Sequence, residues 1–254
     1  MLNCGVPLQP RNLLDNSDFR NPVNQRGKTS YNTEGYTIDR WYFYNPNGDG
    51  TVTINNGYIS LTGGSGAVSL SCRFPKGFLD ANKTYTARIC DNLGNINPTG
   101  LVFYDSFDSF ELSAGAGETK NVVWAALYEG AYDASTLPAY QPKGYAAELA
   151  EAQRYYQTIP ALTHIPGVTN TATSFGAKHR IPTMRIAPTV SIASGQEVSI
   201  YTGDYSATTA NYTMQYASKI NQITFNVSLS AGSFVAYKPG ELTFPVDIVL
   251  SADL

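Results

Sequence analysis

An aromatic stretch near the start of the chain has the residue types that bind sugars. Residues 40–45 run Arg-Trp-Tyr-Phe-Tyr-Asn. Sugar binding needs aromatic faces that pack on the C–H surface of the ring, and polar groups that meet its hydroxyls. Side chains alternate across a strand, so Trp41 and Phe43 share one face and Tyr42 and Tyr44 the other. Tyr42 and Tyr44 are therefore the better ligand-binding candidates. Trp41 is the third, with packing in the core as its alternative role.

A group of carboxylates raises the alternative of glycoside cleavage, which needs two such groups across one bond. Asp105, Asp108 and Glu111 lie close together in the sequence. The odd spacing of Asp108 and Glu111 places them on opposite faces of a straight strand. His164 and His179 have no nucleophile pattern around them, and no phosphate-binding, dinucleotide-binding or zinc motif occurs. These observations favour binding over catalysis.

Short strands must position these residues in the first half of the chain. Runs of alternating polarity are separated by Gly, Asn and Pro, and the Asn-Asn-Gly at 55–57 is typical of a hairpin turn. Their regular spacing indicates an antiparallel sandwich or jelly roll. The predicted strands cover residues 51–54, 58–62, 67–74, 84–90, 100–104, 107–112 and 121–128.

One helix is predicted over residues 144–159, because Ala, Glu, Leu, Gln and Arg dominate there between Pro142 and Pro160. A stripe with alternating spacings of four and three would pack on its own sandwich or line a three-fold axis between protomers. The stripe consists of Tyr145, Leu149, Ala152, Tyr156 and Ile159.

The β pattern returns after Pro160, so the predicted fold class is all-β: two antiparallel β-sandwich, jelly-roll-like modules joined by one α-helix. The expected divisions are a leader at 1–11, a first module at 12–141, a connecting helix at 142–160 and a C-terminal β-sandwich at 161–254. The later strands are predicted at residues 171–177, 189–192, 198–201, 212–217, 222–228, 234–237 and 246–251.

Composition limits the function classes. The 254 residues carry 15% charged side chains and a formal net charge of −3, with Lys and Arg scattered singly. Nucleic acid is therefore not expected as a partner, since phosphate binding needs clustered cations. No apolar run approaches the roughly 18–20 residues of a membrane span, so membrane insertion is not expected either.

The three cysteines have no metal-ligand spacing, and their odd number indicates synthesis in a reducing cytoplasm. Cys4 lies in the leader. Cys72 and Cys90 are expected to be buried thiols, with a disulfide between them as the alternative.

Three stretches together resemble tail-fibre or receptor-binding proteins of phages and prophages from Gram-positive and gut bacteria. The opening part also resembles the first strand of jelly-roll carbohydrate-binding modules. The stretches are Asn-Leu-Leu-Asp-Asn-Ser-Asp-Phe at 12–19 with Asn-Gln-Arg-Gly at 24–27 and Tyr-Thr-Ile-Asp-Arg-Trp at 36–41; Leu-Pro-Ala-Tyr-Gln-Pro-Lys-Gly at 137–144; and Ile-Pro-Thr-Met-Arg-Ile-Ala-Pro-Thr-Val at 181–190 with Leu-Ser-Ala-Asp-Leu at 250–254.

The resemblance implies that residues 12–141 form a carbohydrate-binding-module-like domain of a phage tail component. The expected function is recognition of the host bacterial surface, with a glycan as the favoured ligand and without catalysis. It also implies a homo-oligomer, with a trimer favoured, contact with other tail proteins, and a place in the virion after synthesis in the host cytoplasm. The alternatives are a structural connector of the tail and a polysaccharide depolymerase.

Carbohydrate modules of the jelly-roll type often carry a structural calcium ion near their first strand. Asp15, Asn16 and Asp18 supply oxygen ligands of the right kind there, and Asp39 and Asp133 are further candidates. The alternative is that these side chains cap turns and backbone N–H groups. No other cofactor is expected.

Overall fold

The computed structural model describes residues 10–103, 105–203, 206–209, 211–230 and 234–253. Cys4 and most of the predicted leader lie outside these ranges. Within them the chain is nearly all β, with several antiparallel sheets and one helix, so the all-β fold class is confirmed. The chain divides into two compact units at Ala152 and Gln153. None of the described helical structure is long and apolar enough to cross a membrane.

The first unit contains two antiparallel sheets. The six-stranded sheet has the order β1-β4-β5-β11-β7-β8, and the five-stranded sheet has the order β2-β3-β6-β10-β9. Their strands are β1 (Ser30–Tyr31), β2 (Gly35–Tyr36), β3 (Trp41–Tyr44), β4 (Thr51–Asn55), β5 (Tyr58–Thr62), β6 (Val68–Pro75), β7 (Tyr85–Asp91), β8 (Ile96–Pro98), β9 (Gly100–Phe103), β10 (Phe107–Ala114) and β11 (Thr119–Glu129).

One hydrophobic core joins the inward faces of both sheets in this unit. Trp41 lies at its centre, with Phe19 and Phe110 packed edge-on against the indole at 5.1 and 6.0 Å between ring centroids. Alternation along β6 turns Leu70 and Cys72 into the same core. Sequence periodicity located β4 and β5 well, where buried and more exposed residues alternate, whereas β1, β2 and β8 were not predicted.

The second unit contains a three-stranded sheet of order β12-β21-β15 and a seven-stranded sheet of order β17-β16-β20-β13-β14-β19-β18. Its core is built around Phe175, Phe225 and Phe244. The strands are β12 (Tyr156–Ile159), β13 (Ile165–Thr169), β14 (Ser174–Arg180), β15 (Thr189–Ser191), β16 (Val198–Tyr201), β17 (Ser206–Thr209), β18 (Tyr212–Lys219), β19 (Gln222–Leu229), β20 (Pro239–Thr243) and β21 (Ile248–Ser251).

The helix is shorter than predicted. Helix α1 spans Tyr145–Ala152, and the chain then enters β12, which pairs antiparallel with β21. The predicted apolar stripe is only partly present: Ala152 is buried, but Tyr145 is exposed, and Tyr156 and Ile159 lie in β12. The other buried helical residue is Glu148, which the stripe did not include. Pairing with β21 buries Ile159 and satisfies the backbone of β12, and the strand-forming Tyr156, Thr158 and Ile159 suit this pairing.

Residues 234–237 were also assigned wrongly, since they form no strand; the strand that follows is β20. Buried Thr169 holds this turn: its hydroxyl donates to the Val235 carbonyl at 2.6 Å and accepts from the Lys238 N–H at 2.9 Å. Tyr237 has a φ of 62° there, a left-handed conformation that alternation of polarity cannot reveal.

Cys72 and Cys90 are both buried free thiols, so the alternative of a disulfide between them is wrong. Cys72 belongs to the core of the first unit, and burial raises the pKa of its thiol to about 11. This cysteine therefore acts as a small apolar core residue.

Candidate functional site

The outer face of the five-stranded sheet, opposite the core, combines aromatic rings with hydroxyls. Three neighbouring central strands, β3, β6 and β10, send alternate residues to this face. Because the register pairs Tyr44 with Ser69 and Ser69 with Ser113, these three side chains form one row across the sheet. The next row contains Tyr42, Ser71 and Glu111.

A groove of about 480 Å³ runs along these rows. Small serine hydroxyls line its floor, and larger side chains rise around it, so the face is concave although the sheet beneath is regular. We call this feature the serine groove. It is lined by Tyr44, Ala67, Val68, Ser69, Ser71, Arg73, Phe107, Glu111 and Ser113.

Arg73 lies at one end of the serine groove and stacks between two rings. Its guanidinium carbon is 3.4 Å from the centroid of Tyr42 and 4.5 Å from the centroid of Phe107. Contacts of this kind attract a cation to the ring face. The Tyr42 hydroxyl donates to Glu34 at 2.8 Å, and the Tyr36 ring packs edge-on against Tyr42 at 5.3 Å. Contacts with Arg73, Glu34 and Tyr36 therefore fix the ring of Tyr42.

Desolvation is the largest cause that raises the pKa of Tyr42, and the hydrogen bond to Glu34 acts in the same direction. The Tyr42 phenol therefore stays neutral at physiological pH. A neutral ring packs against both the guanidinium and the C–H surface of a sugar.

The three predicted ligand-binding residues have different environments. Tyr44 lines the serine groove and is 48% exposed, and Tyr42 forms the wall beside it. The assignment of Trp41 is wrong, because Trp41 is 0% exposed and its indole N–H donates to the Asn16 carbonyl at 2.9 Å. Strand alternation predicted that Trp41 lies on the face opposite Tyr42 and Tyr44. The structure shows that the face with Trp41 is the one buried in the core.

The carboxylates considered for glycoside cleavage do not converge. Asp108 is buried and accepts hydrogen bonds from the N–H groups of Gly77 and Leu79 at 3.0 and 3.1 Å, so it holds a turn. Glu111 lies on the opposite face in the groove, where it accepts a 3.1 Å hydrogen bond from Ser109. Asp105 is exposed next to the described end of β9.

Both histidines belong to the second unit. His164 forms an exposed pair with Glu241 at 2.5 Å. Desolvation lowers the pKa of His179, which lies on β14.

The predicted calcium ligands do not form a common site. Asp15 pairs with Lys143 at 2.7 Å, and Asp18 pairs with Arg20 at 2.7 Å. The buried Asn16 side chain accepts from the Val23 N–H and donates to two carbonyl oxygens. These oxygens serve cations and backbone donors, an arrangement that does not fit a calcium ion.

The two further calcium candidates are also engaged. Asp39 is buried and pairs with Arg26 at 2.7 Å. Asp133 caps a turn by accepting from Ser135 and Thr136, which lowers its pKa to about 2. Among the described residues, no three His, Cys, Asp or Glu side chains are grouped to hold a metal.

Sequence reasoning missed Arg73, Phe107 and the serines of the groove. The signal was present in β6, where Val-Ser-Leu-Ser-Cys-Arg-Phe alternates between apolar and polar residues. The sequence pattern did not reveal the order of strands in the sheet, in which β6 lies between β3 and β10. This order places the serines beside Tyr44.

No protein-family model matches the chain, and no curated protein matches it. Among solved structures, the chain is similar to a rhamnosidase from Novosphingobium sp. PP1Y, with 9% sequence identity and a TM-score of 0.19. The match covers 84% of this chain and 25% of that chain, so the chain spans about a quarter of that protein. A likeness this small supports no statement about the fold or the function.

Proposed function

We propose that the chain is a non-catalytic glycan-binding protein of a phage tail fibre, which recognises the surface of the host bacterium. The observation that carries the binding function is the serine groove, where the exposed ring of Tyr44 stands beside a floor of Ser69, Ser71 and Ser113. A ring offers a face to sugar C–H groups. The exposed Ser113 hydroxyl can both donate and accept, whereas Ser69 and Ser71 are only 9% and 3% exposed and Ser71 already donates to the Tyr42 carbonyl at 3.4 Å. The tail-fibre assignment rests on the sequence resemblance.

The fold proposed for this role is a jelly-roll-like sandwich in the first unit and a second sandwich in the second unit. The shared core of the two sheets in the first unit supports this arrangement, because facing sheets enclose one common core. The rigid central strands then hold the groove side chains without a conformational change on binding.

The proposed absence of catalysis is supported by the separation of the carboxylates. Glu111 lines the groove, whereas Asp108 points to the opposite side of the same strand and is buried. A glycosidase of the usual type needs both carboxylates beside one bond. Weak individual sites would suffice on an oligomer, since avidity raises the overall affinity.

The test is a glycan array of bacterial surface polysaccharides probed with the full chain, followed by a reducing-sugar assay on every polysaccharide that binds. Binding without release of reducing ends is expected. Release of reducing ends would identify a depolymerase instead. If no polysaccharide binds while a stable oligomer binds another tail protein, the chain is a connector and the glycan proposal fails.

A further inference from the structure

Within the described part of the chain, the arginine at the end of the serine groove has no carboxylate partner, and its guanidinium hydrogen-bonds the Tyr42 phenol. Among the described residues, Arg73 takes part in no ion pair, and its Nε is buried with no hydrogen-bond partner. The neighbouring carboxylates are otherwise engaged: Glu34 accepts from the Tyr42 hydroxyl and Glu111 accepts from Ser109. The described residues therefore place a charged guanidinium at the groove and supply no counter-ion for it.

The stacking of Arg73 determines which of its atoms are available. Tyr42 and Phe107 contact the guanidinium at 3.4 and 4.5 Å from their centroids. A guanidinium that is packed on ring faces keeps its N–H donors in its own plane, and this planar fork matches a carboxylate or a phosphate in a bidentate geometry. Two rings also fix the group in advance, which reduces the entropy lost on binding.

A ligand in the groove must cover this charge, and covering an unpaired charge is costly. If the ligand carries an oxyanion, a charge-assisted hydrogen bond to the guanidinium offsets this desolvation cost. Glu111 lies on the neighbouring strand, on the row next to Arg73, and would repel such an anion. The acidic group is therefore expected at the end formed by Arg73 and Phe107, with sugar hydroxyls toward Glu111 and Tyr44.

We infer, on the basis of the glycan-binding function proposed above, that the serine groove is selective for an acidic glycan and that Arg73 binds its carboxylate or phosphate. Arg73 is thus the residue that determines specificity, while Tyr44 supplies affinity for any sugar ring. The shared chemistry is an oxyanion on a sugar or polyol chain. A uronic acid and a phosphodiester-linked polyol are the two sources.

The test measures binding of the full chain by titration calorimetry to three probes. They are trigalacturonate, its neutral methyl ester, and a short poly(glycerol phosphate) oligomer. The wild type is expected to bind at least one acidic probe about tenfold or more tightly than the neutral ester, and this preference should weaken as salt is raised. The tighter of the two acidic probes identifies the oxyanion.

The variants are Arg73→Gln, Arg73→Lys and Glu111→Gln, with Lys120→Gln as the control that removes a positive charge from the six-stranded sheet of the same unit. Arg73→Gln should lower acidic binding to the level of the ester, and Arg73→Lys should restore only part of it because an ammonium cannot form the planar fork. Glu111→Gln should tighten acidic binding. Lys120→Gln should change nothing.

Equal binding of the acidic and neutral probes by the wild type would overturn the inference, even if Arg73→Gln failed to fold. Retention of the acidic preference in a folded Arg73→Gln variant would overturn it as well. In both cases ester binding that depends on Tyr44 would leave the glycan-binding function intact. If neither these probes nor any array polysaccharide binds, the glycan-binding function itself fails.

Discussion

The backbone N–H of Asn16 donates a 2.6 Å hydrogen bond to the carboxylate of Glu148, and both residues are buried. The two residues are 132 positions apart, so this bond ties the opening segment of the first unit to helix α1. Desolvation, the largest cause, raises the pKa of Glu148, whereas the Asn16 hydrogen bond and the charge of Lys143 lower it. Burial has the greater effect.

This pKa shift predicts a pH-dependent effect of Glu148→Gln. The folded-state pKa lies above the ordinary value of 4.5, so above that pH the folded state binds more protons than the unfolded state. The contribution of Glu148 to stability is therefore largest below pH 4.5 and is lost as the pH rises through the folded-state value. As the pH rises from about 4 to about 7, the wild type loses this contribution and Glu148→Gln does not. The free energy of unfolding of Glu148→Gln should therefore rise relative to that of the wild type over this range.

Urea denaturation at about pH 4 and about pH 7 measures the difference in the free energy of unfolding between Glu148→Gln and the wild type. The control is Glu118→Gln, which removes an exposed carboxylate of the same unit. A stability difference that is the same at both pH values for Glu148→Gln would contradict the prediction.

Asn16→Ala should strongly destabilise the protein. The Asn16 amide accepts from the Val23 N–H at 2.7 Å and donates to the Val23 and Asp39 carbonyls at 2.8 Å each. Removal of the amide leaves these buried groups unpaired, which costs on the order of 3 kcal/mol. Chemical denaturation checks the value. Asn16→Asp is the matched variant and should also lose stability, since a carboxylate accepts from Val23 but cannot donate to the carbonyls.

Trp41→Ala should unfold or greatly weaken the first unit without a specific effect on ligand binding. The indole fills the core between Phe19 and Phe110, and its loss costs about 3–5 kcal/mol. Trp41→Phe keeps a ring but loses the N–H bond to Asn16, so a smaller cost of about 1–3 kcal/mol is expected. A folded Trp41→Phe variant that bound glycan much more weakly than the wild type would contradict the core assignment.

Tyr44→Ala should weaken glycan binding about threefold to tenfold, because one aromatic face is lost, and should leave the melting temperature nearly unchanged. Tyr216→Ala is a matched control, since Tyr216 is also 48% exposed but belongs to the second unit. Surface plasmon resonance on an immobilised array polysaccharide measures both variants. Equal affinities of Tyr44→Ala and the wild type would place the ligand elsewhere.

The mass in solution tests the tail-fibre part of the proposal. Light scattering during size-exclusion chromatography should give about three times 27.5 kDa. A monomer would remove the support that the sequence resemblance lends to a trimer. It would favour a small carbohydrate-binding module whose groove acts alone.

The sequence predicted single strands well where one face is polar and the other apolar. Strand β5 lies at residues 58–62 and β16 at residues 198–201, as alternation of polarity indicated. The pairing of Tyr42 with Tyr44 on one face follows from the same period of two. These features depend only on neighbours along the chain, so the chain alone reveals them.

The features that the sequence did not predict depend on partners that are distant in the sequence. The predicted helix includes residues 156–159, yet they pair with β21, and this pairing satisfies their backbone and buries Ile159. Tyr156, Thr158 and Ile159 are also of strand-forming types, so the helix-forming composition applies to the residues before them. Likewise, Asp15 has the chemistry of a calcium ligand, but Lys143, 128 positions away, pairs with it. Local propensity is worth tenths of a kcal/mol per residue, and tertiary burial and pairing exceed it.

The sequence by itself determined an all-β chain and the two-sided strand of Trp41 and Tyr44. Only the tertiary structure decided that Trp41 faces the core and that Ser69, Arg73 and Phe107 lie beside Tyr44. The physical reason is that alternation defines two faces of every strand, whereas the order of strands in a sheet arises from long-range pairing. A binding groove is a property of that order.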